Sequence, residues 1–86
     1  MDKEILSLQL NIGTKVYYFD LKGNPSGLYV KIVEKRGDRR SNIIVPADKL
    51  EEFTAKLAEM RREIDALPEE TRAAVERSGA AGDSSE

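Results

Sequence analysis

Leu6, Leu8 and Leu10 alternate with Ser7, Gln9 and Asn11, the period-two pattern of a strand with one buried side. After Gly13-Thr14, the run Lys15–Lys22 is aromatic and β-branched enough for a second strand, with Tyr17, Phe19 and Leu21 on one side and Tyr18, Asp20 and Lys22 on the other. Gly23-Asn24-Pro25-Ser26-Gly27 predicts a turn, so the flanking strands form a hairpin. A third strand runs from Leu28 to about Lys35. Leu28, Val30 and Ile32 share one face, and Tyr29, Lys31, Val33 and Lys35 the other. Residues 36–40, Arg-Gly-Asp-Arg-Arg, make a second, charged turn. Ser41 to Pro46 is a fourth strand that buries Ile43 and Val45, presents Asn42 and Ile44 opposite, and ends at Pro46.

The period then changes. Leu50, Phe53, Leu57, Met60, Ile64 and Leu67 recur at three- and four-residue steps, a continuous apolar stripe on one helix. Asp48 and Glu51 have capping-box spacing at its start. From Lys49 to Leu67 the helix is about 28 Å long, whereas a strand of about six residues spans only ~20 Å. The end of the stripe therefore outruns its own sheet, and Leu57, Met60, Ile64 and Leu67 are expected to meet a second copy of the chain. Pro68 with Glu69 and Glu70 suits a new helix start. That helix, about residues 69–77, is short and weakly amphipathic, with Ala73, Ala74 and Val75. Residues 79–86 are small, polar and acidic, and disorder is expected there. The expected organisation is a sheet-and-helix unit over 1–67, a short helix within 68–78 and an acidic tail over 79–86. The fold class is α+β, a four-stranded antiparallel sheet followed by a long helix.

At 86 residues, with neither cysteine nor histidine, the chain has one small core and neither disulfide nor Cys/His metal staples to reinforce it. Association with a second copy is the remaining staple. No apolar run approaches the roughly 20 residues of a membrane span, and the mixed-charge start is unlike a secretory leader. A soluble, cytoplasmic protein is expected.

A net charge of −2 argues at first against a polyanionic partner, but its distribution reverses the picture. Residues 15–40 hold Lys15, Lys22, Lys31, Lys35, Arg36, Arg39 and Arg40 against Asp20, Glu34 and Asp38. Residues 41–86 hold eleven acidic groups against six basic ones. A basic sheet can attract phosphates while the whole chain stays mildly negative, because exposed charges more than about 10 Å apart are screened. Catalysis has no obvious apparatus. The serines lack a histidine partner, the glycines match no phosphate loop, and the helix carboxylates alternate with Lys56, Arg61 and Arg62 as solvated ion pairs. Asp20 is the one strand carboxylate that draws notice. No catalytic residue, cofactor or metal is expected.

The sheet face turned away from the apolar set carries Tyr18 and Lys22 from strand two, Tyr29 and Lys31 from strand three, and Arg40 and Asn42 at strand four. Aromatic rings stack on any base, lysines neutralise phosphate and an amide reads a base edge, which is what binding of single strands needs. A solvated antiparallel face decorated with ordinary strand formers would look similar.

The residues around that face are similar to a known repeat. Tyr17-Tyr18-Phe19-Asp20-Leu21-Lys22-x-Asn24, then Gly27-x-Tyr29-Val30-Lys31-Ile32-x-Glu34, then Arg40-Ser41-x-Ile43-Ile44-Val45-Pro46 and Glu52-Phe53 on an acidic helix, together resemble the repeat of the PUR (purine-rich-element binding) proteins. The resemblance covers about residues 5–60 and is specific in its combination of spacings. It implies a Whirly-like ββββα PUR repeat whose copies intertwine in pairs, each helix packing across to the other. A chain with a single repeat resembles the bacterial members, which homodimerise. The resemblance further implies binding of single-stranded DNA or RNA, preferably purine- or G-rich, and a regulatory role. The family's contact positions fall on Lys22, Asn24, Lys31 and a basic residue before strand four, Arg40 or Arg39. Its stacking aromatic falls on Tyr29. Gly23 departs from the usual polar turn residue, and Leu28 and Asn42 stand where arginine is frequent in eukaryotic repeats, so weaker binding with a shallower salt dependence is expected. The alternative is a protein-interaction or dimerisation module without nucleic-acid binding, which the negative net charge and the missing arginines favour.

Overall fold

The computed structural model describes residues 2–78. The expected tail, 79–86, lies outside the described residues. Four strands come first: β1 (Lys3–Ile12), β2 (Lys15–Asn24), β3 (Gly27–Arg36) and β4 (Arg39–Pro46). A 3₁₀ turn (Ala47–Lys49) then leads into helix α1 (Leu50–Ala66), and α2 (Glu69–Arg77) follows. The sheet has the order β1-β2-β3-β4 with every neighbour antiparallel, the simplest meander.

Each strand is longer than its apolar run suggests because the hairpins are tight. Ile12 pairs with Lys15, Asn24 with Gly27 and Arg36 with Arg39, leaving two residues in each turn. Gly13 and Gly37 open the first and third turns at φ +60° and +56°, the left-handed conformation that a two-residue hairpin with glycine first requires. In the second turn the Ser26 amide donates to Asn24 Oδ1 at 2.8 Å, an Asx turn around Pro25. Gly23, read from sequence as a turn residue, is instead a strand residue opposite Leu28. A Cβ there would sit 2.9 Å from Leu28 Cδ2, so its bareness lets Leu28 lie across β2.

The capping box expected from Asp48 and Glu51 does not form. The chain enters the helical segment through the 3₁₀ turn, with Pro46 at its cap position and no side-chain hydrogen bond there. Asp48, Glu51 and Glu52 still lie in the first turns, where acids favour the positive end of the dipole. Helix α1 stops before Pro68, since a residue preceding proline disfavours helical geometry, and Leu67 N closes the end by donating to Ile64 O at 3.3 Å. From the 3₁₀ turn along α1, Lys49–Glu52, Lys56–Glu59 and Arg61–Asp65 pair at 3.7, 3.6 and 3.3 Å, exposed contacts worth little each. Among the described residues, no helix is long and apolar enough to cross a membrane.

Residue contacts divide the chain into Met1–Ala55 and Lys56–Glu86. In the first unit the buried hydrophobics are Val33 and Val45, 2% and 7% exposed. Here expectation and structure part. Ile43, assigned to the core, is 51% exposed, and Leu6, Leu8, Leu10, Ile12 and Leu28 are 48–56% exposed. The apolar sheet face was expected under a helix, yet it remains half open in the single chain. In the second unit Leu57, Met60 and Ile64 are 58%, 66% and 48% exposed, and Val75 of α2 is exposed as well.

Candidate nucleic-acid interface

Strand register decides which side chains share a face, because directly opposed residues in an antiparallel pair point the same way. Four cross-strand rows build one face: Glu4–Lys22–Tyr29–Pro46, Ser7–Asp20–Lys31–Ile44, Gln9–Tyr18–Val33–Asn42 and Asn11–Val16–Lys35–Arg40. The opposite face is built from Leu6–Leu21–Val30–Val45, Leu8–Phe19–Ile32–Ile43 and Leu10–Tyr17–Glu34–Ser41. The polar face thus brings together Tyr18, Lys22, Tyr29, Lys31, Arg40 and Asn42, with Asn24 at its end opposite Gly27. Tyr18, Lys22, Asn24, Tyr29 and Lys31 are half-buried among their neighbours, and Arg40 and Asn42 are exposed. Arg39 separates from this group: it opposes Arg36 at the β3–β4 turn and alternates to the other side from Arg40. Register therefore sets Arg40, rather than Arg39, beside Lys35.

The face alternates rings and charges at strand spacing. Lys22 opposes Tyr29 across β2 and β3, and Lys31 is two residues further along β3. Small Val33 forms an apolar floor between Tyr18 and Asn42. Asp20 is not a lone acid: Ser7 Oγ donates to its Oδ1 at 2.6 Å, and it stands opposite Lys31. Beyond the ends of β2 and β3, a cleft of about 350 Å³ is lined by Asn24, Ser26, Tyr29, Ile44 and Pro46, with Asp2 at its side.

Sequence reasoning missed Asp2 and Glu4 as members of this face. The β1–β2 register slips between Glu4 and Leu6, a β-bulge at Ile5 that reverses the alternation of everything before it. Without the slip Glu4 would lie on the apolar side. With it, Glu4 opposes Lys22 and Asp2 reaches the hairpin end. Tyr29 Oη donates to Asp2 Oδ2, and Asn24 Nδ2 donates to Asp2 Oδ1 at 3.2 Å. The Tyr29 hydroxyl, then the Asn24 amide and the Lys22 charge, hold the Asp2 carboxyl below its ordinary pKa, so it is an anion at neutral pH. The same bond raises the pKa of the Tyr29 hydroxyl. A signal was present: Ile5-Leu6 is a doubled apolar pair in an otherwise strict alternation.

A second network lies at the polar end of the apolar face. Lys15 Nζ meets Glu34 Oε2 at 3.0 Å, Tyr17 Oη donates to the same oxygen at 2.8 Å, and Ser41 Oγ donates to Oε1 at 3.3 Å. Lys15 first and Tyr17 next lower the pKa of Glu34. These bonds tie β2, β3 and β4 together at that end. Among the described residues, no group of three or more acidic side chains is placed to hold a metal ion.

The profile of one protein family, described as PurA ssDNA and RNA-binding protein, matches residues 2–85. The chain belongs to the PurA family. This PurA-family chain is also 48% identical over 52 residues to "Transcription factor Pur-alpha 1" of Arabidopsis thaliana, a stretch that is 60% of the chain and 18% of that relative. It therefore spans less than a fifth of that relative's length. The match extends past residue 60, where the sequence resemblance ended, through the rest of α1 and α2.

Proposed function

We propose that the chain binds single-stranded DNA or RNA, purine- or G-rich by preference, through the polar face of its sheet and acts in transcription regulation. The observation that carries this is the sharing of one face by Tyr18, Lys22, Tyr29 and Lys31. Tyr29 and Tyr18 supply stacking surfaces, Lys22, Lys31 and Arg40 meet phosphates, and Asn24 and Asn42 offer amides to base edges. Membership of a family described as ssDNA and RNA-binding supports the reading, as does the similarity to a relative named as a transcription factor. Ordinary lysine contacts without base readout would give affinity but little sequence preference; the rings and amides supply what preference there is.

The working unit in this reading is a homodimer. Each copy leaves open an apolar sheet face and the stripe of Leu57, Met60 and Ile64 on α1, with Leu67 just past its end. A two-fold pairing in which each stripe covers the other copy's sheet satisfies both surfaces at once. Residues 1–67 form the repeat, and 68–78 an appended helix.

Fluorescence anisotropy with a G-rich single-stranded oligonucleotide tests the binding face. Lys22→Ala with Lys31→Ala is expected to weaken binding while leaving circular dichroism and oligomeric state unchanged. Full affinity in that variant excludes the face. The second reading, an interaction module without nucleic-acid binding, draws on one feature: Asp2, Glu4 and Asp20 stand among the cations of the same face. A folded wild-type dimer that binds no oligonucleotide at low salt would favour it.

A further inference from the structure

The end of the polar face holds an anion of the chain's own. Asp2 precedes the last ladder pair of β1, Lys3 opposite Gly23, and its two carboxylate oxygens are taken separately by the Tyr29 hydroxyl and the Asn24 amide. Lys22, which opposes Tyr29, adds a positive charge on the same side. The Tyr29 hydroxyl, the Asn24 amide and the Lys22 ammonium thus converge on this carboxylate. That is the donor set a phosphate oxygen needs, and it lies on the residues that the nucleic-acid reading uses. The arrangement depends on the Ile5 bulge, without which the start of β1 would turn to the apolar side.

We propose that Asp2 is a built-in competitor for the nucleic-acid backbone: its carboxylate occupies the Tyr29–Asn24 notch that a phosphate of the bound strand takes, and binding displaces it. The inference rests on the nucleic-acid reading above and adds its regulation. Displacement is mechanically easy, because Asp2 lies outside the paired ladder and its removal from the notch breaks no strand pairing. The exchange is of one anion for another, so it lowers affinity for every strand by the same factor. The competitor thus sets the overall affinity of the face without adding or removing a contact to the bound strand.

The test compares wild type, Asp2→Ala, Asp2→Asn and Asp38→Asn, the last removing one negative charge from the β3–β4 turn. Each is titrated into a labelled G-rich single-stranded DNA and into heparin at two salt concentrations, after circular dichroism has established the fold. Asp2→Ala is expected to bind both about two- to fivefold more tightly, the range of one exposed charge contact. It should also show a salt slope steeper by about 0.7, because the phosphate in the notch no longer trades places with an anion of the chain and one more counterion is released on balance. The proportional gain should be similar for the two ligands, since each displaces the same carboxylate. Asp2→Asn should fall between wild type and Asp2→Ala, and Asp38→Asn should stay within about half of the Asp2→Ala gain. Equal affinities for wild type and Asp2→Ala, or an equal gain in Asp38→Asn, overturn the proposal while leaving the binding face intact. Ultraviolet titration of the tyrosines gives a readout without nucleic acid: Asp2→Ala should lower the Tyr29 hydroxyl transition, and an unchanged titration overturns the contact itself. If no folded variant binds the DNA, the nucleic-acid reading falls and the competitor with it.

Discussion

The two faces of this sheet follow the same alternation and meet opposite fates. On the polar face, neighbouring side chains answer one another: Ser7 holds Asp20, Asn24 and Tyr29 hold Asp2, and Lys22 and Lys31 stand among rings and acids. On the apolar face Val45 is buried and the Lys15–Tyr17–Glu34–Ser41 network is made within the chain, yet Leu6, Leu8, Leu10 and Ile43 are about half exposed. A polar face can remain in water at no cost, whereas an apolar face this large needs a cover. The difference separates the face that one copy completes from the face that the proposed dimer would cover.

The sharpest way to break the comparison is to make the helix stripe polar. Leu57→Asp with Ile64→Asp is expected to destabilise the proposed dimer by at least about 6 kcal/mol, since each lost burial is worth roughly 1.5–3 kcal/mol and two-fold symmetry counts both twice. Analytical ultracentrifugation should then show monomer, and an unchanged dimer would exclude this stripe as the contact. Next comes the ring at the centre of the binding reading. Tyr29→Ala should weaken oligonucleotide binding by ~1–3 kcal/mol, the worth of one stacked base, while Tyr29→Phe keeps the stacking. Equal losses in the two variants would assign the effect to the hydroxyl instead. Removing Lys22 and Lys31 together should flatten the salt dependence by about 1.4 in log–log slope, two phosphate contacts on a single strand, measured by anisotropy across a salt series.

Much of this was legible in the chain, and the exceptions share a cause. The strands, their faces and both helices follow from alternation and from stripe spacing, because side-chain direction is local geometry. Tyr18, Lys22, Tyr29 and Lys31 were readable as one surface for that reason. Asp2 and Glu4 were not, since a bulge is a two-strand event and its trace, the doubled Ile5-Leu6, is one residue long. The choice between Arg40 and Arg39 likewise depended on where the turn closes, one residue deciding the side. The Glu34 cluster needed three strands in register before its partners met.

That cluster supplies the smallest and most selective prediction. Glu34 has a folded-state pKa below its ordinary value, so its stabilising contribution is complete above the unfolded carboxylate range and fades as pH falls through the lowered folded value. Glu34→Gln should therefore melt lower than wild type near neutral pH, with the gap narrowing in acid. Thermal melts at several pH values check it, and a gap that stays constant into acid would show that Glu34's charge is not what its network uses.

By itself the sequence determined the elements, the sidedness of the sheet, the excess of apolar surface over what one small chain can bury, and the resemblance to the PUR repeat. These are consequences of residue type and spacing along one strand or one helix. Tertiary structure alone decided the bulge that turns two acids onto the polar face, the side on which Arg39 falls, the seat of Asp2 on Tyr29 and Asn24, and the meeting of Lys15, Tyr17 and Ser41 at Glu34. Each of these depends on the register between strands, which is set by how hairpins close and ladders slip rather than by any residue taken alone.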